Sequence, residues 1–230
     1  MKITVLTGAG ISAESGLKTF RDSNGLWEGH DVMEVASPQG WEDNPELVLD
    51  FYNQRRKQLM NVEPNVAHFK LAELEEKHSV TIITQNVDDL HERAGSTRVV
   101  HLHGELLKVR STSNENYIIN WRKDLYLGDM CNANYQLRPH IVWFGEDVPL
   151  MDKAIRIVRK TEILIIVGTS MQVYPAAGLL QYSPNNSKIF FVDPKPSISS
   201  SKKITVFAEN ATSGIQKVVS EINKYSSNEF

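Results

Sequence analysis

Ile3-Thr4-Val5-Leu6-Thr7-Gly8-Ala9-Gly10-Ile11-Ser12-Ala13-Glu14-Ser15-Gly16, residues 3–16 of a 230-residue chain, is the stretch whose reading decides the fold. A short apolar run of β character empties into a loop whose glycines permit a tight turn and a close approach of backbone N–H groups to a pyrophosphate. A nucleotide is the natural occupant of such a loop. The spacing after Gly10 is close to the dinucleotide-binding fingerprint, with Ala13 where a third glycine or alanine is required. Taken alone, the loop is equally readable as a structural turn.

Working outward, similar β-rich runs recur at Ile3–Leu6, Val80–Thr84, Val99–Leu102, Ile141–Phe144, Ile163–Val167, Ile189–Val192 and Ile204–Phe207. Most are continuously apolar rather than alternating, as parallel strands covered on both faces should be. Helical patterns lie between them: Pro45–Met60 after a cap at Asn44, about Val66–Lys77 after Asn65, Asp152–Lys160, and Ile215–Tyr225 with Ile215, Val218, Val219 and Ile222 on one face. This alternation predicts an α/β fold with a Rossmann-like parallel sheet and ligands outside the carboxyl ends of its strands. Two stretches interrupt it, about 22–77, mostly helical, and about 106–138, polar and Asn-rich; together they should form a smaller domain. The Rossmann part then comprises about 1–21, 78–105 and 139–230 of a single unit.

The 41% hydrophobic and 23% charged content is that of a globular chain. A net charge of −3 offers no broad basic field for nucleic acid or anionic lipid, which favours small-molecule or protein substrates. Residues 2–6 lack the make-up of a signal peptide and no segment reaches membrane-spanning length, so a cytoplasmic location is expected. The one cysteine, Cys131, can form neither an intramolecular disulfide nor a four-thiolate zinc site by itself.

Six further motifs follow in order: Thr19-Phe20-Arg21-Asp22 with Gly25-Leu26-Trp27, Gln85-Asn86-Val87-Asp88, His103-Gly104 with Leu106, Phe144-Gly145-Glu146, Gly168-Thr169-Ser170, and Val173-Tyr174-Pro175. With the opening loop they resemble the sirtuin family: its GAGxSxxSGxxxFR, TQNxD, HGxL, FGE, GTS and VxP segments, spread over nearly the whole chain. The resemblance implies NAD as a consumed co-substrate. Its contacts would come from Gly8, Ala9, Gly10, Ser12, Glu14, Thr19, Phe20, Arg21, Trp27, Gln85, Asn86, Asp88, Gly168, Thr169, Ser170 and Asp193.

Read as residues, His101 and His103 sit two apart on a strand, which could suit a metal, but no third ligand is evident nearby. Histidine also titrates near neutrality, which suits proton abstraction from a ribose hydroxyl. Only His103 falls in the HG position of the family. The resemblance therefore makes His103 the catalytic base, with Asn86 beside it, and leaves His101 structural. It implies that the carbonyl oxygen of an acyl-lysine attacks the ribose carbon as nicotinamide leaves, and that His103 then removes a ribose proton. The products would be free lysine, nicotinamide and O-acyl-ADP-ribose.

Tyr52 and Arg55 lie three apart on the 45–60 helix and can converge on one pocket, where a guanidinium and a phenol suit a carboxylate. The resemblance extends to sirtuins that remove succinyl, malonyl or glutaryl groups, which carry this Tyr-x-x-Arg pair and a small residue like Ala36. Dual deacetylase and desuccinylase activity is expected, with Val142, Phe144, Gly145, Glu146, Val173 and Tyr174 also contacting an acyl-lysine protein substrate.

The chain departs from the family between HGxL and FGE, where most sirtuins hold zinc with four cysteines and this chain has only Cys131, with Ser111 at the first expected position. No structural zinc is expected, and Tyr117, Ile118, Ile119, Trp121, Leu125 and Tyr126 are candidates to supply packing instead. Asp193 replaces a common asparagine near the adenosine ribose. ADP-ribosyl transfer or NAD hydrolysis, and a non-catalytic NAD-sensing module, remain the competing readings; a reversible dehydrogenase is disfavoured by the position of the acidic residues.

Overall fold

In a computed structural model, residues 1–17, 26, 27 and 29–227 are described. Strand β1 (Lys2–Thr7) leads into the short helix α1 (Ala9–Ala13), and a two-strand ribbon, β2 (Leu26–Trp27) and β3 (His30–Asp31), precedes four helices. These are α2 (Val32–Val35), α3 (Pro38–Asp43), α4 (Pro45–Met60) and α5 (Val66–Glu73), the last continued by a 3-10 turn at Leu74–Glu76. Then come β4 (Ser79–Thr84), α6 (Leu90–Arg93), β5 (Val99–His101), β6 (Gly104–Ser111), β7 (Ile118–Asn120), β8 (Leu137–Ile141) and α7 (Met151–Val158). The chain closes with β9 (Ile163–Val167), a 3-10 helix at Ala176–Tyr182, β10 (Lys188–Val192), β11 (Ile204–Phe207) and α8 (Ala211–Ser227).

Six strands form one parallel sheet in the order β11-β10-β9-β1-β4-β5. Its runs are continuously apolar because both faces are covered. Ile3, Val5, Val80, Ile82, Ile165 and Phe190 pack with Leu71 of α5 and with Ile215 and Val218 of α8 on one side. Leu6, Ile83, Leu164, Ile166 and Phe191 pack with Ala154 and Val158 of α7 and with Leu179 on the other. Strand residues that alternate in direction are thus all buried, which erases the period-two pattern.

The helix caps behave as read. Asn44 accepts from Leu47 N and Asn65 from Ala67 N, each with Oδ1 at 3.0 Å. Two expectations are corrected. The run Ile141–Phe144 is not a strand of the parallel sheet: β8 ends at Ile141 and pairs antiparallel with β6. Helix α5, placed in the smaller domain by the 22–77 boundary, instead buries Ala67 and Leu71 against the parallel sheet.

The weakly patterned 106–138 interval contains a three-stranded antiparallel sheet in the order β7-β6-β8. Val109, Leu125, Cys131 and Leu137 form its small core with Leu49 of α4, joined by Tyr117, Ile119 and Trp121. Ile118 and Tyr126, expected in that packing, are exposed, because the strand and turn point them outward. Polar side chains provide the remaining order. Gln136 Nε2 donates to the carbonyls of Tyr126 and Leu137, and its Oε1 accepts from Gly128 N. Cys131 Sγ lies 3.3 Å from Ser111 Oγ. Asn53 of α4 both donates to Leu125 O and accepts from Leu125 N, acting as a strand partner that ties the module to the helix.

Candidate active site

A cleft of about 260 Å³ opens between the carboxyl ends of β1 and β4, the face of α4 and the turn after β8. Gly8, Ala9, Ser12, Trp27, Gln85, Asn86, Asp88, His103 and Thr169 line it, together with Ala36, Tyr52, Arg55, Val142, Phe144, Gly145, Glu146, Val173 and Tyr174. Eighteen sequence-selected residues thus share one concavity. Leu17, Gln58, Leu59, Leu106, Ile141, Trp143 and Val148, not selected as contacts, line it as well.

The floor is a polar network. Asn86 Nδ2 donates to Gly8 O and to Ser12 Oγ, and Ser12 Oγ in turn donates to Asp88 Oδ2 at 2.9 Å. Burial pushes the Asp88 carboxyl up to about 6, against the lowering effect of the Ser12 and Leu90 hydrogen bonds. Gln85 reaches Thr169 Oγ1 through Nε2 and presents its carbonyl oxygen 3.0 Å from His103 Nδ1. A carbonyl can only accept, so Nδ1 carries the proton and Nε2 keeps a lone pair. Burial lowers the His103 pKa below the usual imidazole value, opposed by the Gln85 carbonyl, so the ring is neutral at neutral pH. Gly104 makes this placement possible: it has φ +82°, and a Cβ there would collide with the His140 carbonyl oxygen.

His101 behaves differently. Burial disfavours its charge, but the Glu92 carboxylate 2.7 Å from Nε2 outweighs that and raises its pKa, while Nδ1 contacts Asn86 O. It braces the loop below His103 rather than facing the cleft. Among the described residues no group of three or more His, Cys, Asp or Glu side chains could hold a metal ion.

Several selected residues lie outside the cleft. Gly10 packs on Gly168, where an added Cβ would come within 2.7 Å of the Gly168 Cα, so the pair holds the β1 and β9 loops together. Ser170 and Asp193 follow β9 and β10; Ser170 Oγ is buried without a hydrogen-bond partner among the described residues, and Asp193 Oδ1 accepts from Lys195 N. Glu14, expected at the cofactor, also caps the start of α8: its carboxylate accepts from Thr212 N and Oγ1. Thr19, Phe20 and Arg21 lie outside the described residues.

At the other end of the cleft, Tyr52 is 1% exposed and its Oη accepts a 3.0 Å hydrogen bond from Trp143 Nε1. Arg55 is half-buried, its guanidinium 5.4 Å from the Phe51 ring. Its neighbour Arg56 is buried in the opposite direction, donating to Leu106 O and Asn53 Oδ1. Glu146 lines the cleft, but its carboxylate is held by Arg138, Arg110 and Trp143 N. Burial alone would raise its pKa; those partners lower it. Glu146 is therefore a fixed anchor of the 143–146 turn, not a free substrate acceptor. Ala36 O accepts from Phe144 N, joining α2 to that turn, and Val173 and Tyr174 precede the 3-10 helix without belonging to a strand.

This arrangement matches known proteins. A Sir2 family profile covers residues 8–175. The chain belongs to the Sir2 family. It is 55% identical over 229 residues to an NAD-dependent protein deacylase of Helicobacter pylori strain J99, covering 99% of this chain and 98% of the relative. A protein of that name from Bacteroides thetaiotaomicron is 51% identical, over 94% and 95% of the two chains. Among solved structures, a mutant Sir2 homologue in complex with ADP-ribose is 37% identical with a TM-score of 0.88, over 98% of this chain and 93% of that one. A Sir2 homologue in complex with NAD gives a TM-score of 0.86 at 37% identity, over 97% and 90%. The first residues of its profile match coincide with the loop that opened the sequence reading.

Proposed function

We propose that this Sir2 family member is an NAD-dependent protein-lysine deacylase that removes acetyl groups and also short acidic acyl groups such as succinyl and malonyl. The observation that carries the reading is one cleft lined at one end by His103, Asn86 and Asp88 and at the other by Tyr52 and Arg55. The residues fit NAD. Gln85, Asn86 and Asp88 offer amide and carboxylate groups suited to a carboxamide and ribose hydroxyls, and the buried Ser170 hydroxyl after β9 needs a partner. Gly8, Gly10, Gly168, Thr169 and Asp193 would hold the remainder of the dinucleotide.

The chemistry NAD supplies when bound is an electrophilic ribose carbon flanked by hydroxyl groups. His103 Nε2, its tautomer set by the Gln85 carbonyl, accepts a ribose hydroxyl proton. Asp88, anionic at neutral pH and anchored by Ser12, accepts from a neighbouring hydroxyl, and Asn86 orients it. The acyl-lysine chain of a protein substrate enters between the Phe144–Glu146 turn and Val173-Tyr174. Arg55 and Tyr52 meet the far end of the acyl group, and the small, buried Ala36 leaves room for a longer tail. The catalytic unit divides into a parallel-sheet part and a smaller part made of α2–α4 and β6–β8.

Acetyl-lysine and succinyl-lysine peptides incubated with and without NAD, followed for peptide mass and nicotinamide, test the reading. NAD-dependent deacylation by the native protein, lost in His103→Ala, is expected. Label from NAD appearing on protein, or free ADP-ribose without acyl transfer, would move the assignment to ADP-ribosyl transfer or NAD hydrolysis.

A further inference from the structure

We infer that Trp143 is a positioning residue for acyl-group selectivity: its indole N–H occupies the acceptor side of Tyr52 Oη and so commits the phenol to donating into the cleft. The inference rests on the proposed role of Tyr52 and Arg55 in holding an acidic acyl tail.

An indole nitrogen can only donate, so the 3.0 Å contact between Trp143 Nε1 and Tyr52 Oη has one possible direction. The phenolic proton cannot point back at that N–H. Among the described residues the Tyr52 hydroxyl has no acceptor, although the side chain is 1% exposed. A buried O–H without an acceptor costs free energy unless something entering the cleft accepts from it. Burial also raises the Tyr52 pKa, which keeps that proton in place. A carboxylate next to Arg55 is the acceptor that such a donor suits; an acetyl group carries none at that depth.

Trp143 is well placed to impose this direction because it cannot turn. Its side chain is 2% exposed, and its backbone N–H donates to Glu146 Oε2 at 2.7 Å. The Arg138 guanidinium lies over the indole, 3.2 Å from the ring centroid, and is itself bound to Glu146. Trp41 packs beside the ring at 5.8 Å. Glu146, Arg138 and Trp143 therefore form a chain that ends at the Tyr52 hydroxyl.

The test is Trp143→Phe, which keeps a ring over Arg138 and removes the N–H. Succinyl-lysine kcat/KM should fall about ten-fold, mostly through KM, while acetyl-lysine kcat/KM stays within about two-fold. In a Tyr52→Phe background the same change should leave the succinyl-to-acetyl ratio unaltered. Equal losses on both peptides, no change in the ratio, or a further drop in the Tyr52→Phe background would overturn the inference. If Trp143→Phe fails to fold, benzothienylalanine placed at position 143 gives an isostere without the N–H, read in the same way. Native protein that leaves succinyl-lysine untouched would overturn the acidic-acyl reading and this inference with it. Loss of desuccinylation in Arg55→Met but not in either position-143 variant would overturn the inference alone.

Discussion

At the His103 end of the cleft the functional groups are fixed by the loops in which they lie. Gln85 orients His103 through its backbone carbonyl, Asn86 bonds to Gly8 O, and Ser12 to Asp88, all just past the carboxyl ends of β1 and β4 or beside β5. At the Tyr52 end the groups come from α4 and the turn after β8 and are fixed by side chains: Glu146 on Arg138 and Arg110, Arg138 over Trp143, Trp143 on Tyr52. The first end is part of the parallel-sheet scaffold; the second is a contact between a helix and the small antiparallel sheet. Chemistry common to all acyl groups should therefore depend on the first, and discrimination among them on the second.

The largest effect expected is from His103→Ala. Removal of the proposed general base should lower kcat/KM by on the order of 10²–10⁴-fold for acetyl and succinyl peptides alike, measured as nicotinamide release. A loss confined to one acyl group would break the division between the two ends.

Asn53 provides a second test, since it ties α4 to the small sheet between Tyr52 and Arg55, the two residues of that helix proposed to contact the acyl group. Asn53→Ala leaves the N–H and C=O of buried Leu125 without these partners and should cost roughly 2–3 kcal/mol of stability, read as a lowered urea midpoint. At temperatures where the variant stays folded, succinyl removal should suffer more than acetyl removal. An unchanged midpoint would show that the small sheet holds α4 by apolar packing alone.

The pH dependence sharpens the comparison further. His103 must be neutral to accept a proton, and its pKa is lowered below 6.5 by burial. Activity should thus persist through the ordinary imidazole titration and fall as Asp88, whose carboxyl is pushed up to about 6, and the His103 ring take up protons. Both peptides depend on these same groups, so their kcat/KM profiles should have the same shape above about pH 6. An acid limb at or above 6.5, or two profiles of different shape, would contradict this.

The parallel sheet was legible because burial on both faces writes continuous apolar runs, and the caps at Asn44 and Asn65 mark helix starts by local chemistry. The His103 end was legible because its contacts lie in short contiguous motifs. The small sheet was not, since β6 buries its residues without sustained alternation, β7 is three residues long, and the module is held by Gln136, Asn53 and Ser111, whose roles leave no periodic pattern. The capping role of Glu14 was not legible because a carboxylate beside a nucleotide loop gives no hint that α8 begins next to it. Trp143 stands immediately before the Phe144-Gly145-Glu146 motif, and an aromatic in that position was the one signal that could have drawn attention to it.

The separation of the two ends is tested most directly by Arg55→Met, with kcat/KM measured on succinyl-lysine and acetyl-lysine peptides of one sequence at saturating NAD. Loss of a charge-assisted contact to a carboxylate should lower the succinyl value by about 10- to 100-fold and leave the acetyl value within about three-fold. Parallel losses on the two peptides would contradict the account.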